Sequence, residues 1–174
     1  IAKLKPTAKV NMSTIRLRVR QTTTKFKVSG LAPGDSVKSY KSSNKKIFSV
    51  NSKGKLRAKR KGSAKLIVTL KSGKRIKVKV KVQRSTVKTT KISVNTSKVT
   101  LLKGGKYTLK TTKAPLTTQQ KTTYKSSNRK VATVSSKGVI TAKKKGTAKI
   151  KVKISDKSYY CTVSVYNLSL IHIS

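Results

Sequence analysis

The chain has 174 residues, and its 45 Lys+Arg against 2 Asp+Glu give a formal net charge of +43. The acids are Asp35 and Asp156, there is no Glu, and the sole histidine is His172, so paired-carboxylate hydrolysis, a Ser-His-Asp triad and a carboxylate-held metal site lack their parts. One cysteine, Cys161, excludes an intrachain disulfide and a cysteine zinc cluster, and no run of about 18 apolar residues is available to span a membrane.

High charge with only 34% hydrophobic residues is also how disordered chains read, so order has to come from pattern. Residues 1–11 are expected to be an N-terminal arm or partial strand. An opening strand follows with Ile15, Leu17 and Val19 on one side, and Asp35 falls in the turn Pro33-Gly34-Asp35-Ser36. From Tyr40 the chain begins a stretch that recurs: residues 40–65 align without a gap to residues 124–149, and 16 of the 26 positions are identical. Such self-similarity predicts two tandem units of one shape. In the first, Val50 leads into Ser52-Lys53-Gly54, where glycine permits a tight turn, and a strand carrying Leu56 and Ala58 runs to Gly62. Leu66, Val68 and Leu70 then alternate with polar residues. After the connector Lys71-Ser72-Gly73-Lys74, so do Ile76, Val78, Val80 and Val82, with Lys77, Lys79 and Lys81 between them. A period of two means strands with one buried face, and the connector is a hairpin turn.

The second unit repeats this order. Residues 84–90 are polar, lack Gly and Pro, and read as an extended linker. Val99 and Leu101 match the opening strand only loosely, and Lys103-Gly104-Gly105-Lys106 is a turn, since a phosphate-cradling loop would continue into Ser/Thr and a helix. Val134, Ser136-Lys137-Gly138, Ile140 and Ala142 follow, then Gly146. Ile150, Val152 and Ile154 alternate with Lys149, Lys151 and Lys153, and a hairpin one residue shorter leads to an inward row of Tyr159, Cys161, Val163 and Val165. The segment from Leu168 to Ser174 breaks the composition abruptly and resembles the translation of a sequencing-library adapter, so 167–174 is expected to be a scar. With Ile1 at the start and no charged-then-apolar leader, the chain reads as a piece of a longer protein.

Short strands punctuated every 8–12 residues predict an all-β sandwich or barrel without helices. At Tyr-Lys-Ser-Ser-Asn, then Val-Ala-Thr-Val-Ser-Ser-Lys-Gly-Val-Ile-Thr-Ala over 131–142 and Lys-Gly-Thr-Ala-Lys-Ile over 145–150, the sequence resembles the bacterial immunoglobulin-like domain of group 2, in both copies. The resemblance implies two tandem immunoglobulin-like β-sandwich domains, over 12–83 and 91–166, in a bacterial surface or secreted protein of the adhesin kind. It supplies no catalytic residues. Tyr40 and Tyr124 stand where the family usually has Trp, so each hydroxyl needs a partner or water, and Phe48 against Ala132 implies different local packing.

The function expected is therefore non-enzymatic, with no catalytic, cofactor or metal residue: a monomeric stalk or spacer, or an adhesion and cell-wall attachment module, located outside the cell. The alternative is a polyanion-binding module for cell-wall polymers, acidic glycans or, non-specifically, nucleic acid. Its candidate residues are Lys77, Lys79 and Lys81 in the first unit and Lys149, Lys151 and Lys153 in the second, roughly 6.6–7 Å apart along one strand face. The competing explanation is a solvated face that guards a sheet edge. Lysine outnumbers arginine 37 to 8 and no zinc-finger or RNA-recognition motif occurs, which argues against base readout of nucleic acid.

Overall fold

A computed structural model describes residues 5–168. The described residues form strands, turns and loops with no α-helix, and they divide into two compact units. The first comprises residues 5–88 together with Pro115–Gln119; the second comprises Thr89–Ala114 and residues 120–168.

In the first unit the long alternating segments pair as expected. β8 (Gly62–Leu70) and β9 (Arg75–Gln83) form an antiparallel hairpin, β5 (Val37–Ser42) pairs with β8, and β2 (Thr14–Arg18) lies parallel to β9, giving the order β2-β9-β8-β5. A three-stranded sheet, β3 (Thr22–Thr23), β7 (Leu56–Ala58) and β6 (Phe48–Val50), faces it. Ile15, Leu17, Phe48, Leu56, Leu66, Val68, Leu70 and Val80 between them are fully buried, because each occupies the inward position of an alternating strand. The N-terminal stretch supplies β1 (Lys9–Val10), which pairs with β4 (Val28–Ser29), while Ala8, Val10 and Met12 pack on the core. The Val87 carbonyl accepts from Gln119 N and from Thr118 Oγ1. Pro115–Gln119 also covers the outer side of β2, where Thr117 Oγ1 donates to the Arg16 carbonyl and Gln21 Nε2 donates to the Thr117 carbonyl.

The second unit repeats the arrangement. β11 (Lys98–Leu102), β18 (Lys157–Tyr166), β17 (Gly146–Ile154) and β14 (Thr123–Ser126) form the large sheet in the order β11-β18-β17-β14, with β11 parallel to β18. β12 (Lys106–Thr108), β16 (Val139–Ala142) and β15 (Ala132–Val134) make the smaller one, and β10 (Lys91–Val94) pairs with β13 (Thr111–Ala114). β2 and β11 begin 84 residues apart, the spacing of the repeat, so the opening strands correspond position for position although their side chains differ. This unit encloses its own core of Leu109, Ala132, Ile140, Ile150, Val152, Cys161, Val163 and Val165.

Two local expectations meet their outcome here. Tyr124 Oη shares a 2.9 Å hydrogen bond with Thr111 Oγ1, which provides the partner that its half-buried ring requires. Tyr159, expected to continue the inward row, lies on the face of its cross-strand neighbour Val152 yet is 38% exposed, so the buried row begins at Cys161. Of the expected scar, residues 169–174 lie outside the described residues.

Candidate polyanion-binding face

The six candidate lysines all belong to strands in the interior of the large sheets. Lys77, Lys79 and Lys81 are on β9, between β2 and β8; Lys149, Lys151 and Lys153 are on β17, between β18 and β14. Their alternating neighbours Val78, Val80, Ile150 and Val152 point into the cores. The lysines therefore occupy the outward face, where Lys77, Lys79, Lys149 and Lys153 are exposed and Lys81 and Lys151 are half-buried. Both rows are outward, as a solvated face requires, but most of each row is away from an edge: Lys149, Lys151, Lys153, Lys79 and Lys81 are paired on both sides, while β2 reaches only to Lys79 and leaves one side of Lys77 open. A strand's place in the sheet depends on long-range pairing, with the parallel partners β2 and β11 covering sides that a lone hairpin would leave open.

Register then assembles rows across the strands that no single segment displays. In the first unit Lys65 stands opposite Lys79, Arg16 is opposite Lys81, and Lys41, Ile67 and Lys77 form one row. In the second unit Lys125, Lys151 and Tyr160 form a row, and Lys149, Thr162 and Lys98 form the next. Directly opposed side chains have Cβ atoms about 4.5–5.5 Å apart, a distance at which like charges repel. The sequence alone does not reach Lys125, Lys98, Lys65 and Arg16; it offers Tyr160 only within a carbohydrate-stacking group with Tyr159 and Tyr166, against which alternation counts because it sends Tyr159 and Tyr160 to opposite faces. For Tyr160 a signal existed: the two-residue turn Ser155-Asp156, which pairs Ile154 with Lys157, fixes Lys151 opposite Tyr160 by counting back.

Tyr160 is 51% exposed and, with Lys125, Ser126, Ser127, Lys149 and Lys151, lines a hollow of about 200 Å3 on this face. Its rim is tied together by Lys149 N donating to Ser127 Oγ at 2.8 Å and Ser127 N donating to the Lys149 carbonyl at 2.9 Å. The first unit builds the same tie with Lys65 N, Ser43 Oγ and the Lys65 carbonyl. At the place of Tyr160 it carries Lys77, aligned in the row with Ile67 and Lys41.

The acids are occupied structurally or isolated. Asp35 accepts from Ser72 Oγ at 2.7 Å, from Ser72 N and from Ser36 N, and the Ser72 hydroxyl in particular holds its carboxyl below the usual value of 3.8. Asp156 is exposed in the β17–β18 turn. Among the described residues no group of three or more His, Cys, Asp or Glu is placed to hold a metal ion, and no helix is long and apolar enough to cross a membrane. Cys161 is buried, and burial pushes its thiol above the usual value of 9.0.

Residues 88–163 match the family described as bacterial Ig-like domain (group 2). A curated relative, the kappa-carrageenase of Pseudoalteromonas carrageenovora, is 46% identical over 67 residues, which are 38% of this chain and 17% of that protein, so the similarity concerns a small part of the enzyme. Among solved structures, domains 4 and 5 of the S-layer protein SbsC are 24% identical over 72% of this chain and 74% of theirs, with a TM-score of 0.43. An intimin mutant of EHEC O157:H7 is 26% identical over 37% of this chain and 34% of its own, with a TM-score of 0.32. Domains of this class are typical of bacterial surface and secreted proteins. Residues 88–163 thus match the bacterial Ig-like domain (group 2), and the first unit, with the same strand order and 16 of 26 identical residues in the repeated stretch, is a second β-sandwich of the same layout.

Proposed function

We propose that this chain is a non-enzymatic segment of a bacterial surface or secreted protein and that its paired sandwiches attach that protein, by charge, to anionic polymer at the cell surface. The observation that carries the reading is the interior position of both lysine rows. Lysine on an edge strand suppresses sheet-to-sheet pairing; β17 is paired on both sides along its three lysines and β9 at Lys79 and Lys81, with Lys77 alone beyond the end of β2, so at five of the six positions the device has nothing to suppress. The inventory of acids supports a non-catalytic role, since Asp35 and Asp156 belong to different units. An inert spacer is the competing reading, favoured by the separate, complete core in each unit.

The test is co-sedimentation of the full chain with Gram-positive cell walls, intact or stripped of teichoic acid, across a salt series. Attachment predicts binding to intact walls that falls steeply with salt, because each neutralised charge releases a counterion. It also predicts a larger loss from K77Q/K79Q/K81Q or K149Q/K151Q/K153Q than from K143Q/K144Q/K145Q, which removes three charges from an exposed turn. Equal losses from all three triple variants would leave the spacer reading standing.

A further inference from the structure

We infer that the hollow beside Tyr160 seats one sugar ring of an anionic polysaccharide, with the ring against the tyrosine and its carboxylate or sulfate held between Lys125 and Lys151. The inference rests on the attachment reading and deepens it by naming a ligand class and a place. Three observations meet there. An aromatic side chain is half-exposed on an outward sheet face where its row neighbours are charged; Leu102 and Tyr166 lie on the same face at the far end of the sheet. Two lysines stand directly opposite each other in the same row, an arrangement that repels until an anion lies between them. A hollow of about 200 Å3 separates these groups from the Ser126-Ser127 rim, which the Lys149 backbone holds in place.

A pyranose matches these features because it offers an apolar face of C–H groups to an aromatic ring while carrying its charge on a substituent. A single-stranded nucleic acid is the other flexible polyanion of suitable spacing, but it is held by successive aromatic platforms on which consecutive bases stack. The rows Lys125-Lys151-Tyr160 and Lys149-Thr162-Lys98 contain one ring between them. The first unit supplies an internal control. Its backbone frame is the same, yet Lys77 replaces the aromatic group and Ile67 replaces the central lysine, so it offers charge without a seat.

The full chain would be titrated at several salt concentrations with heparin, as the anionic polysaccharide, with uncharged dextran, and with a single-stranded oligonucleotide of matched charge. Y160S should weaken heparin binding roughly tenfold while leaving the slope of log affinity against log salt unchanged, since no charge is removed, and Y160F should bind as the parent does. K125Q/K151Q should lower that slope by about 1.4–1.8, at roughly 0.7–0.9 per neutralised charge. NMR signals of Tyr160 should move with heparin and not with dextran. Heparin binding that is insensitive to Y160S would overturn the sugar seat while leaving attachment by charge intact. Absence of heparin binding at physiological salt would overturn both. Oligonucleotide binding that is equally tight and equally dependent on Tyr160 would replace the polysaccharide with nucleic acid.

Discussion

Gly54 and Gly138 occupy the same turn in the two copies, with φ of 84° and 83°, and each lies under the ring of the tyrosine that opens the repeat. Replacing either with alanine imposes the same backbone penalty, about 1–2 kcal/mol for an L-residue in the left-handed region. The loss of glycine's freedom in the unfolded chain offsets about 0.4–1 kcal/mol of this. The surroundings then differ. An added Cβ at Gly54 first meets the Tyr40 ring, with Cζ at 3.0 Å, and this half-buried side chain can tilt away. At Gly138 it meets the Leu109 carbonyl oxygen at 2.6 Å. That carbonyl is backbone, the Leu109 N–H donates to the Gly138 carbonyl at 2.8 Å, and the Leu109 side chain is 1% exposed in the core. Relief there must move a core residue, so Gly138→Ala should cost about 2–4 kcal/mol and Gly54→Ala about 1 kcal/mol.

Native-state hydrogen exchange reads the two units separately, since ladder amides of β8 and β9 report the first and those of β17 and β18 the second. Gly138→Ala should lower protection in β17 and β18 and bring the melting of that unit down by at least about 8 °C, at roughly 4–8 °C per kcal/mol for a domain of this size. Equal destabilisation by the two variants, or a larger effect from Gly54→Ala, would refute the argument that the rigid carbonyl decides the difference.

Ser155 adopts φ of 53° in the two-residue β17–β18 turn, so Ser155→Gly should stabilise the second unit by about 0.5–1 kcal/mol, measured as a rise in the urea midpoint. Because burial raises the Cys161 thiol pKa above 9.0, the folded state resists ionisation there; its contribution to stability is complete below the unfolded-state pKa and lost as pH rises through the folded value. Alkaline unfolding of the second unit should accordingly be delayed in Cys161→Val, and a thiol reagent should label the parent only at the rate of opening. Lys65→Glu places a carboxylate opposite Lys79 and should stabilise the first unit by about 0.2–1 kcal/mol at low salt, with the gain shrinking as ionic strength rises.

The long central hairpins were legible because Leu66 to Leu70, Ile76 to Val82 and Ile150 to Ile154 alternate without interruption, and turn residues mark their ends. The doubling was legible in the repeat itself. The parallel pairing of β2 with β9 and of β11 with β18 was not, because partners more than fifty residues apart leave no turn between them to read. Strands of two residues, such as β1, β3 and β4, are too short to show a period. The lysine rows were visible along each strand. Their interior position and their cross-strand neighbours emerged only when distant segments were paired, and those are the features that favour attachment over edge protection.

The fold leaves the outward positions of β9 and β17 unconstrained in packing. The cores close with Val78, Val80 and Val82 on one strand and Ile150, Val152 and Ile154 on the other, and any polar residue outward would satisfy the alternation that buries them. Threonine, with its high strand propensity, would fill those positions without repulsion. Instead Lys65 opposes Lys79 and Lys125 opposes Lys151, so each copy spends stability on adjacent positive charge in the middle of its largest sheet. With 2 acidic residues in 174, the chain itself has almost nothing to neutralise that charge. A ligand that brings the missing anions would relieve the repulsion as it bound. Binding and folding are then linked: polyanion should stabilise both units, as anything that binds only the native state does, and by more at low salt than at high.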